Sequence, residues 1–232
     1  MAIINGVGRV GWRNYVSPQA PTTTYPTSLK LFIDAGNPLS YSGTGTTVTD
    51  LTGNGNNTTL VNGTSYSSDN GGTFVFDGIN DYMSTNIKSF VNEMTLECWI
   101  KIPILTGGKQ YILNDFGQGY IEFILPGKKL MFVNYGSGPA SGTTTLNTNT
   151  YYHLVSTFKA GEPGKVYVNG ILDGTSDGNF LPIQNNSANL SIILPPPFNI
   201  QCTLGMFKIY NAKRTDAEVL SSFNEFKSRY GY

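Results

Sequence analysis

The chain has 232 residues, 39% hydrophobic and 13% charged, with 15 basic and 15 acidic side chains and a formal net charge of zero. That length suits one large all-β domain able to bury on the order of 70% of its unfolded surface, and Gly, Asn, Thr and Ser fill the place of the missing charge. There is no basic block for a nucleic-acid groove, no run near the roughly 20 apolar residues of a membrane span, and at Met1–Gly6 neither the basic start nor the apolar core of a secretory signal.

Residues 1–27 read as an extended N-terminal arm and linker. Val7-Gly8-Arg9-Val10-Gly11-Trp12-Arg13 interleaves apolar and basic residues between glycines. Pro18, Pro21 and Pro26, with Thr22-Thr23-Thr24, then keep the chain extended. Trp12 and Arg13, with Val10, are candidates for anchoring this arm on a partner, because a large aromatic and a planar fork of donors suit a buried interface.

Residues 28–232 read as one domain of strands and turns. Expected strands are Leu29–Ile33, Val48–Leu51, Thr59–Val61, Phe74–Phe76, Thr95–Lys101, Tyr111–Leu113, Tyr120–Leu125, Lys129–Tyr135, Thr143–Leu146, Tyr151–Val155, Val166–Val168 and Gly205–Tyr210. Gly78 supplies the positive φ of the turn after Phe76, and Asn169-Gly170 is a two-residue hairpin signal. Many short strands at close spacing predict a two-sheet antiparallel sandwich. One helix is expected, at the end. Thr215 and Glu218 form a capping box, and Val219, Leu220, Phe223, Phe226 and Tyr230 share one face as its docking stripe.

The stretch Gly72-Thr-Phe-Val-Phe-Asp-Gly-Ile-Asn-Asp-Tyr-Met83 is followed in order by Thr95–Lys101, Tyr151–Val155, Val166–Gly170 and Gly205–Tyr210. Together these resemble the laminin-G-like, concanavalin-A-like jelly-roll family over residues 28–232. The resemblance implies an all-β jelly-roll sandwich, with lectin, glycosidase and structural roles all open to it. In many relatives an acidic residue on the last strand completes a calcium site; here Gly205 stands in its place. In the family the position of His153 is a sheet histidine. The opening Met-Ala-Ile-Ile-Asn-Gly-Val-Gly-Arg-Val-Gly is similar to the leader of tailed-phage virion proteins that carry this jelly roll.

Glycoside hydrolysis needs two carboxyl groups facing one cleft, and sandwich glucanases carry them at alternate positions of one strand. No such pattern occurs; Glu97 and Glu122 each stand alone and are expected to point to solvent. His153 is the only histidine, which excludes a multi-histidine zinc shell. Calcium takes six to eight oxygens, and Asp50, Asn54 and Asp77 are the candidate ligands, with turn formation as the competing role. Cys98 and Cys202 are expected to be buried thiols, a bridge being the alternative. Sugar binding would draw on exposed aromatics among Tyr111, Tyr120 and Tyr135. The stiff loop Leu194-Pro-Pro-Pro-Phe198 either caps the sandwich or meets a partner through Pro196 and Phe198.

The expectation is a non-enzymatic virion structural protein, a capsid decoration, head-fibre or tail-associated subunit assembled in the host cytoplasm. Its partners would be capsid or tail subunits and sister copies in a homo-oligomer. It would use no nucleic acid, no membrane insertion and no cofactor beyond the candidate calcium. The alternative is a carbohydrate-binding module that adheres to host surface glycans.

Overall fold

Alternating side chains point to opposite faces of a strand, and sixteen strands among the described residues stack into two antiparallel sheets. The computed structural model describes residues 24–105, 108–115, 121–183, 187–194, 198 and 200–232. Val10, Trp12, Arg13, Tyr120 and Pro196 lie outside them.

The first sheet is ordered β14 (Ile171–Asn179), β13 (Pro163–Val168), β12 (Tyr151–Lys159), β7 (Glu93–Lys101), β16 (Gln201–Tyr210), β5 (Thr73–Asp77) and β4 (Ser65–Ser67). β1 (Leu29–Asp34) joins it on the second half of β16, beyond the segment that pairs with β5. The second sheet is ordered β11 (Ala140–Ser141), β10 (Met131–Asn134), β9 (Ile121–Ile124), β8 (Tyr111–Asn114), β15 (Asn189–Ile192), β6 (Tyr82–Lys88), β3 (Thr58–Val61) and β2 (Thr47–Val48). Leu96, Cys98 and Ile100 of the first sheet meet Leu113, Phe123 and Phe132 of the second in one buried core. Cys98 and Cys202 lie there as free thiols, and burial pushes the Cys98 thiol up.

The outer face of the first sheet is also covered. Helix α1 (Asp216–Phe226) starts with the capping box of Thr215 and Glu218 and buries Val219 and Ser222. A 3-10 turn, Lys227–Tyr230, follows. Phe223, Phe226 and Tyr230 pack with Trp99, Tyr151, Phe32 and Met206 beneath them. Leu220 departs from the expected docking stripe: it is 40% exposed, perched over the hairpin turn at Gly170. Arg229 fastens the end of the chain, its Nη1 2.6 Å from Asp34 Oδ1, while Nε and Nη2 donate to the carbonyls of Asn70 and Gly72.

Turn chemistry follows the sequence closely. Gly78 has φ +75°, and Asn169 and Gly170 have φ 53° and 79°, the positive values of a two-residue hairpin. Two strand expectations change. Val48–Leu51 yields only Thr47–Val48, because the Asp50 carboxylate takes the amides of Phe32, Thr52 and Asn56 and turns the chain out of the ladder. Thr143–Leu146 forms no strand; the short strand is Ala140–Ser141, and Thr143 and Thr144 bond to Asp173 instead.

Candidate functional site

The outer face of the second sheet carries a cluster of aromatic and charged side chains. Asn114 is opposite Glu122, and Glu122 opposite Val133, so these share the face turned away from the core. Tyr111 is opposite Ile124 on the same face. Glu122 is the hub. Its Oε1 accepts from the hydroxyls of Tyr111 (3.4 Å) and Tyr135 (3.2 Å), and its Oε2 from Lys109 Nζ at 3.1 Å. Only 6% of the Glu122 side chain is exposed, against 49% of Lys109. Burial, then the Glu122 charge, raises the pKa of both tyrosines, which keeps their protons on and donating. Bonding to Glu122 raises that of Lys109 and holds it as ammonium.

Two aromatic rings of this cluster reach solvent. Tyr135 is 43% and Phe198 44% exposed, and Phe198 tilts onto Tyr111 with ring centroids 4.9 Å apart. Ile124 and Leu194 pack with Tyr111 beneath them, flanked by Met131 and Val133. The arrangement offers apolar ring faces beside a fixed carboxylate, an ammonium and phenol hydroxyls. Such a surface can stack on one face of a polyol while bonding its hydroxyls. The sequence offered Tyr111, Tyr135 and Phe198 as separate candidates. Glu122 and Lys109 were missed as their companions, although alternation along Ile121-Glu122-Phe123 already sets Glu122 opposite the core-facing Phe123.

The expectation that Glu97 and Glu122 point to solvent is corrected, since both are buried. They also stand on the outer faces of different sheets and cannot share a cleft. Glu97 lies under α1, where its Oε1 accepts from Lys208 Nζ (3.0 Å) and Ser222 Oγ and lies 3.3 Å from His153 Nε2. Burial alone would push the Glu97 carboxyl up; the Lys208 ammonium, then His153 and Ser222, override this and hold it well below the usual carboxylate range. His153 is fully buried in the sheet against Trp99. This network joins helix to sheet.

The calcium candidates do not converge. Asp77 is opposite Gln201 at the start of β16. Asp50 binds the amide of Phe32, which is opposite Lys208 near the other end of that strand. Seven residues of strand separate them by about 23 Å. Asp50 and Asn54 share a loop through Thr52, but the Asp50 oxygens already accept amide and hydroxyl donors. Asn54 donates to the carbonyls of Leu29 and Lys30, and Asp77 Oδ1 accepts from Ile79 and Asn80. Among the described residues no group of three His, Cys, Asp or Glu side chains could hold a metal ion. At Gly205, where relatives place an acidic residue, an added Cβ would strike the Tyr230 ring and hydroxyl.

A two-sheet jelly roll with a polar, aromatic outer face defines a lectin-like domain. Residues 76–220 match the family model of the concanavalin A-like lectin/glucanases superfamily, and the chain belongs to that superfamily. Similar solved structures include the binding domain of Paraclostridial Mosquitocidal Protein 1 (18% identity, 86% of this chain and 52% of that one, TM-score 0.66). Another is domain 4 of AbnA, an extracellular arabinanase from Geobacillus stearothermophilus, in complex with arabinotriose (17% identity, 84% and 97% covered, TM-score 0.64). A third is the Trypanosoma rangeli sialidase in complex with sialic acid (16% identity, 90% and 35% covered, TM-score 0.64). The chain thus spans about half the length of the toxin binding domain and a third of the sialidase. At these identities the likeness is one of fold. No curated protein sequence matches the chain.

Proposed function

We propose that this chain is a non-enzymatic carbohydrate-binding module whose site is the outer face of the second sheet. The observation that carries this reading is the buried Glu122, bonded to Tyr111, Tyr135 and Lys109 beside the half-exposed rings of Tyr135 and Phe198. Structures of the same fold solved with arabinotriose and with sialic acid support it. Binding rather than turnover is favoured because Glu97 and Glu122 lie on the outer faces of different sheets and cannot serve each other as an acid–nucleophile pair. The test is a glycan array followed by titration calorimetry. Binding is expected, and Tyr135→Ala, which truncates a half-exposed ring, is expected to weaken it about tenfold, the ~1.4 kcal/mol scale of one interface anchor. A folded protein that binds nothing at millimolar sugar ends this reading.

A second reading concerns where the module works. The similarity of residues 1–11 to tailed-phage leaders favours a virion structural protein, with the jelly roll displayed on capsid or tail and residues 1–27 as its tether, Val10, Trp12 and Arg13 making the grip. Pro196 and Phe198 would then be available to a neighbour or to sister copies. Removing residues 1–20 is expected to abolish attachment to purified particles while leaving glycan binding intact. Equal attachment without them rules the tether out.

A further inference from the structure

A cavity of about 320 Å³ lies on the outer face of the first sheet, on the opposite side of the sandwich from Glu122. One wall is a row on α1, Glu218, Ser221 and Glu225, at positions i, i+3 and i+7 of one helix face. The other is Tyr25, Pro26 and Leu29, where the chain enters β1. Phe32, Lys208 and Tyr210 of the sheet form the floor. Pro26, Glu218, Ser221 and Glu225 are exposed, so the mouth is at the surface. Small-molecule sites run from about 300 to 1,000 Å³; this cavity is at the bottom of that range and admits one large side chain.

Its chemistry suits an aromatic side chain followed by a cation. Tyr25 meets Phe32 edge to face, ring centroids 5.6 Å apart. The Lys208 ammonium is already held by Glu97 and Ser222. Arg214, also in the lining, lies 4.5 Å over the Tyr210 ring, and its Nε has no hydrogen-bond partner. No cation lies within ion-pair distance of Glu225 among the described residues. Ring edges and a guanidinium attract an indole, and the Glu225 carboxylate attracts a cation beside it.

The chain carries such a pair in Trp12 and Arg13. Among residues 1–23, outside the described residues, Arg9 and Arg13 are the only charged side chains. Residues 24–232 hold the other 13 basic and all 15 acidic side chains, a formal net charge of −2. Arm and domain therefore attract each other. Residues 12–35 contain no glycine, and Pro18, Pro21 and Pro26 stand between Trp12 and β1. That composition favours an extended spacer over the tight reversal that would bring Trp12 back beside Tyr25. Residues 14–24 at ~3.1 Å each reach about 34 Å, enough for the cavity of a neighbouring copy.

We infer that Trp12 and Arg13 of one copy dock in this cavity of a second copy, the indole among Tyr25, Phe32 and Arg214 and the guanidinium on Glu225. Free chains thereby join by exchanging arms. The exchange rests on neither functional reading: the cavity is away from the glycan face, and the tether reading gives the same side chains to a particle once one is present.

The test is light scattering on the purified full chain over a concentration series, with neither sugar nor particle present. The wild-type chain is expected to form a dimer or a larger closed ring. Trp12→Ala is expected to weaken association at least about thirtyfold, the scale of a tryptophan hot spot. Glu225→Arg changes only an exposed side chain and is expected to weaken it about tenfold. Adding Arg13→Glu to Glu225→Arg is expected to restore it, which a general effect on folding would not do. A wild-type chain that is monomeric at every concentration overturns the exchange. An oligomer indifferent to Trp12→Ala, or a charge swap that restores nothing, overturns the cavity as the seat of the arm.

Discussion

Glu97 keeps its negative charge while only 1% exposed, because Lys208, Ser222 and His153 surround it. A carboxylate whose pKa is lower folded than unfolded contributes stability above its ordinary value of 4.5. That contribution is lost progressively as pH falls below it. Unfolding midpoints in urea should therefore drop below about pH 4.5. Glu97→Gln should cost about 3–5 kcal/mol at neutral pH by stranding the Lys208 ammonium, and should flatten the acid side of the profile. A variant with the wild-type midpoint and the wild-type acid slope would show that the network contributes nothing. The sequence reveals little of this. Leu96-Glu97-Cys98-Trp99 alternates as a half-solvated strand would, and nothing local says that a helix more than a hundred residues later covers the polar face. Glu122 was misread for the same reason: its partners Lys109, Tyr111 and Tyr135 come from separate strands and loops.

At the scale of elements, α1 and the turn after it seat on the first sheet through a stack of rings. Tyr230 lies over Trp99 with centroids 4.3 Å apart and planes 15° from parallel, and Phe223 stacks on the same indole at 5.6 Å. Gly205 makes room for this, since a methyl there would collide with the Tyr230 ring and hydroxyl. Gly205→Ala is expected to destabilise by about 1–3 kcal/mol through overpacking, seen as a lower melting temperature and a shift in Trp99 emission. An unchanged melting temperature would mean that Tyr230 moves aside freely. The helix, its capping box and the Asn169-Gly170 hairpin were legible because each is specified by neighbours in sequence. The strands Thr47–Val48, Ser65–Ser67, Ala140–Ser141 and Asn189–Ile192 were less so, or not at all. Strands of two to four residues have no room for a period, and their partners across the sheet decide whether they exist.

At the scale of the whole molecule, β16 is the strand on which the first sheet depends. It pairs with β7 along one side, and with β5 and then β1 along the other. A chain ending at residue 200 lacks it, and is expected to show neither the cooperative unfolding transition nor the protected amides of the full chain. A cooperative transition in that fragment would show that the remaining strands form a core of their own. The sandwich itself was readable from turn spacing and alternation. The pairing of the first described strand with the last was not, because it joins residues nearly 180 apart in number and has no local signature.

That pairing also sets a clock. β1 is synthesised before its only partner strand in the sheet, β16, with fourteen other described strands made in between. Leu31, Phe32 and Ile33 are buried in the finished molecule, and until β16 appears they have no strand to bond. Closing so long a loop is slow compared with local pairing. The growing chain must therefore carry an apolar, unpaired edge while β2 to β15 are made. Expression at lower temperature, or with chaperones that shield such edges, should raise the yield of folded protein more than any change to its surface.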